Sequence, residues 1–163
     1  MIVISCDPGL HGAVAVWKKK KLVSVTSIPF LEDEEELGGV SYVDFYTLQN
    51  RLWRMTEAEE EVWGVIEEPF VIPGQSIKGA LTMGTVYGQL VSVLHTLVTH
   101  SVYVVHPRLW KEDLGLSRDK SLSISLCRRV IGEKAMFKVG KDHNKAEAIL
   151  IGHWFLSVIC SAT

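Results

Sequence analysis

The sequence predicts an α/β fold: a five-stranded mixed sheet, made of a three-stranded antiparallel meander plus two parallel strands, flanked by helices. Three observations predict it. β-branched apolar runs near the start of the chain are separated only by turn residues, and two later short apolar runs each follow a segment with helical periodicity. The last third of the chain reads as helix. At 163 residues the chain is the size of one domain, so a single domain over 1–163 is expected, with enough surface to bury for a core without staples.

Taken in order, residues 2–6 are apolar and β-branched until Asp7-Pro8-Gly9 breaks the run, and Ala13 to Trp17 forms the second arm of a hairpin. Lys18 to Lys21 make the exposed turn into a third strand, Leu22 to Ile28, and the acidic stretch 32–36 follows. Residues 41–57 carry Tyr42, Phe45, Leu48, Leu52 and Met55 at spacings of three and four, the stripe of an amphipathic helix. Val62 to Ile66 is a short strand ending in Glu67-Glu68-Pro69. A long helix over 76–99 holds Gly84 and Gly88 four apart, which predicts close packing of another element there. Ser101 to Val105 is the fifth strand, Pro107 starts a helix, and Lys120 to Ile131 and Asn144 to Ile159 are the last two helices. A meander followed by right-handed crossovers fits a ribonuclease H-like core.

Composition narrows the class. Three cysteines, Cys6, Cys127 and Cys160, form neither a disulfide framework nor a zinc spacing, which points to a reducing intracellular setting. Neither a signal peptide nor a membrane span is expected. The net charge of −2 does not itself suggest nucleic acid, but its distribution does. Between Pro107 and Lys145 stand ten Lys/Arg and five acids, so that this segment can face a phosphate backbone while the whole chain stays acidic.

Asp7 and Glu67 each end an apolar strand, and strand ends at one edge of an α/β sheet are where ligands bind. Two carboxylates brought together there repel one another and gain from a divalent cation between them. The third element is 141–148, KDHNKAEA, opening the final helix. At about 100° per residue His143 lies roughly 40° from Glu147, Asn144 roughly 60° and Asp142 roughly 140°. His143 and Glu147 therefore share a face, and Asp142 is suited to an N-cap. Taken singly, Asp7-Pro8-Gly9 is also an ordinary turn and Glu67 a strand-end charge.

Together these segments resemble the RuvC-type Holliday-junction resolvases, particularly their shorter viral and phage-like relatives. The resemblance runs through Asp7-Pro-Gly with Gly12-Ala13, Val65-Ile-Glu67-Glu-Pro-Phe70, Gly84-Thr-Val-Tyr-Gly88, Pro107-Arg-Leu-Trp110-Lys111, Asp119-Lys120 and the 142–148 segment. It implies a crossover-junction endodeoxyribonuclease that nicks four-way DNA in symmetric pairs, leaving 5′ phosphate and 3′ hydroxyl. It implies two Mg²⁺ ions, with Mn²⁺ as the alternative, held by Asp7, Glu67 and Glu147. Many relatives carry two acids three apart on the last helix, whereas this chain has Asn144 three before Glu147, His143 four before and Asp142 five before. His143 or Asp142 is the expected fourth ligand, with His143 also a candidate proton acceptor.

Lys120 would stabilise the transition state. Lys111, Lys120, Arg118 and Lys145 would contact DNA, and Gln75 and Ser76 would probe the junction centre. Two nicks related by a two-fold axis imply a homodimer, for which Leu81, Met83, Leu90 and Leu94 of the long helix offer either an interface or a core face. The expected setting is the cytoplasm or nucleoid of a prokaryote or a virus-infected host, or an organelle. An inactive junction binder, or a nuclease of the same fold for other branched DNA or RNA–DNA hybrids, is the alternative.

Overall fold

Three strands pair antiparallel in the computed structural model, which describes residues 1–31, 41–70, 74–117, 120–132 and 143–161, without the side chains of 120 and 159–161. They are β1 (Ile2–Asp7), β2 (Ala13–Lys18) and β3 (Lys21–Ser27). β4 (Val62–Glu67) lies parallel to β1, and β5 (Val102–Val105) lies parallel to β4, giving the order β3-β2-β1-β4-β5. The expected mixed sheet is present. β1 is central and its six residues are all buried, as a strand covered on both faces must be.

Alternation along β1 and β4 sorts the core into two layers. Ile2, Ile4, Cys6 and Ile66 face α1 (Phe45–Thr56) and α2 (Ile77–Leu97). Val3 and Val65 face the other layer, α3 (Pro107–Asp113), α4 (Lys120–Ile131) and α5 (His143–Ser161). α1 starts at Phe45, four residues later than its apolar stripe suggests, because Asp44 caps it by accepting from the Thr47 backbone N–H at 3.0 Å. The hairpin tip falls on Lys19 and Lys20, both at positive φ (49° and 63°), where the turn demands a left-handed backbone that lysine adopts only under strain.

α5 packs against the sheet with nothing between backbones. The Ser5 hydroxyl donates to the Ala148 carbonyl at 2.7 Å, and a Cβ on Gly152 would sit 2.6 Å from the Ser5 oxygen and overlap Trp17 Nε1. Glycine is therefore required at 152 by proximity, whatever its φ.

Two expectations for α2 need correction. Gly84 and Gly88 have open space where a Cβ would stand, so among the described residues no element packs closely there. Leu81, Met83, Leu90 and Leu94 do not form one face: Leu90 and Leu94 are buried against the sheet, whereas Leu81 is 58% exposed on the opposite side, beside Ile77 at 89%. At 100° per residue Leu81 and Leu90 are half a turn apart, which the spacing already dictated. Among the described residues no helix is long and apolar enough to cross a membrane.

Two outcomes follow. Gly152→Ala should cost about 1–3 kcal/mol through overpacking, read as a lower urea midpoint at unchanged slope. Burial pushes the Cys127 thiol up to about 12 and raises that of Cys6 further. In a Cys160→Ser background neither should react with a thiol reagent near neutral pH until denaturant is added; labelling of the native protein would contradict that burial.

Candidate active site

Asp7 and Glu67 stand one step beyond the last β1–β4 pair, Cys6 with Ile66. Since Cys6 and Ile66 point toward α2, alternation turns both acids toward the α5 side. Glu147, in the second turn of α5, is delivered to that same side by the Ser5–Ala148 bond at the next residue. Glu68 points away, is exposed, and uses its backbone N–H to extend the β5 pairing to Val105 O at 2.8 Å.

The loop after Asp7 is a tight turn. Gly12 donates to the Gly9 carbonyl at 2.9 Å, and a Cβ on Gly12 would overlap the Asp7 carbonyl. Asn144 donates from its side chain to the His11 carbonyl at 2.6 Å, tying this loop to the start of α5. Between loop and helix opens a groove of about 800 Å³ lined by Asp7, Gly9, His11, Ser27, His143 and Asn144. His143 thus shares a groove with Asp7, while Asn144 has a structural bond of its own.

The two glutamates are held from α3 and α4. The indole N–H of Trp110, a fully buried residue, donates to Glu67 Oε2 at 2.7 Å. Lys111 Nζ lies 3.1 Å from Glu147 Oε2 and 4.9 Å from the centre of the Trp110 ring. Ser123 Oγ donates to Glu147 Oε1 at 3.2 Å. Burial raises the Glu67 pKa above the ordinary carboxylate value, opposed by the Lys111 charge and the Trp110 hydrogen bond and reinforced by Glu147. A dehydrated carboxyl beside a second carboxylate is an environment that a cation relieves.

The donor set of Asp7, Glu67 and Glu147 is all carboxylate oxygen, which suits a hard divalent ion. Among the described residues no three His, Cys, Asp or Glu side chains already converge into a cage. Lys111 stands at Glu147 in their place. Asp142 and Arg118 lie outside the described residues, as does the side chain of Lys120, whose backbone begins α4. Ser76 caps α2, accepting from the Gly79 N–H at 3.1 Å, so its hydroxyl has a structural use. Gln75 and Lys145 are half-buried. Trp110 and Ser123 were missed as partners; a tryptophan next to Lys111 was a usable signal, because a buried indole needs an acceptor.

Trp110→Phe, which keeps the ring and removes the donor, should destabilise by about 1–3 kcal/mol. Glu67→Gln should then cost a different amount in that background than alone, and a double-mutant cycle with no coupling would show the bond to be without effect.

No family model matches the chain. Over 98 residues, 58% of this chain, it is 32% identical to the chloroplastic Holliday junction resolvase MOC1 of Chlamydomonas reinhardtii, and that stretch spans only 11% of the relative's length. A structure of Thermus thermophilus RuvC in complex with a Holliday junction substrate superposes with a TM-score of 0.69 at 16% identity, covering 100% of this chain and 98% of RuvC. A second Thermus thermophilus RuvC structure gives 0.69 at 17% identity and the same coverage. The five-stranded mixed sheet with its flanking helices is thus the ribonuclease H-like fold of RuvC, shared along the whole chain.

Proposed function

We propose that the chain is a single-domain, structure-selective DNA endonuclease that resolves four-way junctions by paired nicks. The observation that carries this reading is the delivery of Asp7, Glu67 and Glu147 to one side of one sheet edge, within the fold of RuvC. The likeness to a curated junction resolvase supports the same substrate class.

Asp7, Glu67 and Glu147 would hold Mg²⁺, with Mn²⁺ as the alternative and His143 or Asp142 as the further ligand. When bound, the ion supplies a more acidic water and neutralises charge on the leaving oxygen. The remaining work belongs to the chain. Trp110 and Ser123 fix the orientation of Glu67 and Glu147, so that the carboxylates need little reordering at the moment of reaction. Lys111 brings a positive charge to the place where phosphate charge increases in an in-line displacement, and Lys120, at the start of α4, would add a second. His143, lining the groove beside Asp7, offers a ring nitrogen for a proton. Lys145, Arg118, Gln75 and Ser76 remain the proposed DNA contacts.

Paired nicking needs two sites, and the exposed side of α2 offers the matching surface for a homodimer. Ile77, Leu81, Gly84 and Gly88 leave an apolar strip with bare backbone there. Two such helices can approach closely across a two-fold axis.

A synthetic four-way junction incubated with Mg²⁺ should be cut into nicked duplexes by the wild type, whereas Asp7→Asn should lose at least about two orders of magnitude in rate, on the order of 2.7 kcal/mol in barrier. Binding without cutting in Mg²⁺ and Mn²⁺ alike would reduce the protein to a junction binder. Equal cleavage of junction, flap, linear duplex and RNA–DNA hybrid would remove the junction from the assignment.

A further inference from the structure

A second groove, of about 640 Å³, runs between β3 and α1, on the face of the sheet away from α5. Its walls carry Ser24 and Thr26 from the edge strand and Thr47, Asn50, Arg51 and Arg54 from the helix. These four helix positions follow the 3, 4, 7 spacing of a single face. Neither arginine forms an ion pair among the described residues. From Phe45 to Thr56 the helix contains no acid. On the adjoining flank Tyr46 and Trp53 are 77% and 50% exposed, two large rings at the surface with no core to fill.

Acids stand at both ends of this helix, Asp44 at its N-cap, where it feels the Arg51 charge, and Glu57 at its C-cap, so the groove-facing side between them, with two arginines, an amide and a hydroxyl, is where positive charge is presented. Guanidinium groups with interleaved aromatics suit phosphate and nucleobase or sugar surfaces. The two grooves open on opposite faces of the sheet and meet at its edge strand β3. Ser27 and Ile28 line the groove at Asp7, while Ser24, Val25 and Thr26, the residues just before them on the same strand, line this one. The step from Ser27 to Ser24 spans only about 10 Å. α1 itself covers about 18 Å.

We infer that this β3–α1 groove is a second DNA-contact surface, in which Arg51 and Arg54 bind the phosphate backbone of a duplex arm that passes the β3 edge of the sheet. The occupant is duplex DNA. The inference rests on the nuclease reading for its substrate but not for its geometry. The arginines act on affinity, through phosphate neutralisation, and not on the reacting atoms.

The test is the salt dependence of binding, measured in EDTA on a labelled linear duplex and on a four-way junction. Arg51→Gln/Arg54→Gln should weaken binding to both and reduce the log K against log [salt] slope by about 1.8, the loss of two phosphate contacts. Arg51→Lys/Arg54→Lys, which retains both charges, should keep the slope. Lys19→Gln/Lys20→Gln removes the same charge from the hairpin tip and should leave the slope unchanged. An unchanged slope in the glutamine variant, or an equal loss in the hairpin variant, overturns the inference. So does a loss of self-association in the glutamine variant with DNA binding intact, which would assign the groove to a second copy of the chain. Junction cleavage by the wild type in Mg²⁺ is read separately: its absence defeats the nuclease reading, while the linear duplex still decides the groove.

Discussion

The contact of α5 with β1 and β2 is the constraint on which the rest of the structure depends. At Ser5, Trp17 and Gly152 the helix meets the sheet at a distance that excludes even one additional carbon. The Ser5 hydroxyl answers the Ala148 carbonyl across that seam. A helix seated this tightly cannot slide by a residue without losing the bond or striking the tryptophan, so the height of Glu147 above the strand ends is fixed by packing. Asp7 and Glu67 owe their positions to the strands themselves, through register and alternation.

Glu67 and Glu147, brought to one side of the sheet, repel one another, and that repulsion has to be offset. The second layer of contacts performs this. Lys111 supplies the opposing charge at Glu147, Trp110 and Ser123 supply donors, and the dehydration felt by Glu67 is only partly compensated. A cluster of this kind is folded and oriented by protein donors while keeping a residual preference for more positive charge. Glu67 is thus left short of positive charge even with both partners in place.

Much of the fold was legible because its signals are local. The apolar run broken by Asp7-Pro8-Gly9, the hairpin around the lysines and the helix from Lys120 to Ile131 all follow from spacing and turn chemistry. The placement of Asp7, Glu67 and Glu147 was legible for the same reason, each being set by the end of a strand or the face of a helix. What escaped depends on contacts distant in sequence. Trp110 reaches across 43 positions to Glu67 and Ser123 across 24 to Glu147, and no periodicity encodes such pairings. The glycines of α2 marked a bare face but not what would lie on it, and Leu81 was grouped with Leu90 although half a turn separates them.

The seam at Ser5 and Gly152 also bears on how such a chain can diversify. Glu147 is registered by contacts at Ala148 and Gly152, downstream of it, so the pitch of its carboxylate is inherited from the seam. Exposed positions of α5 can therefore drift in sequence while the acid stays where it is, whereas a single carbon gained at 152 would lift the helix and carry the carboxylate with it.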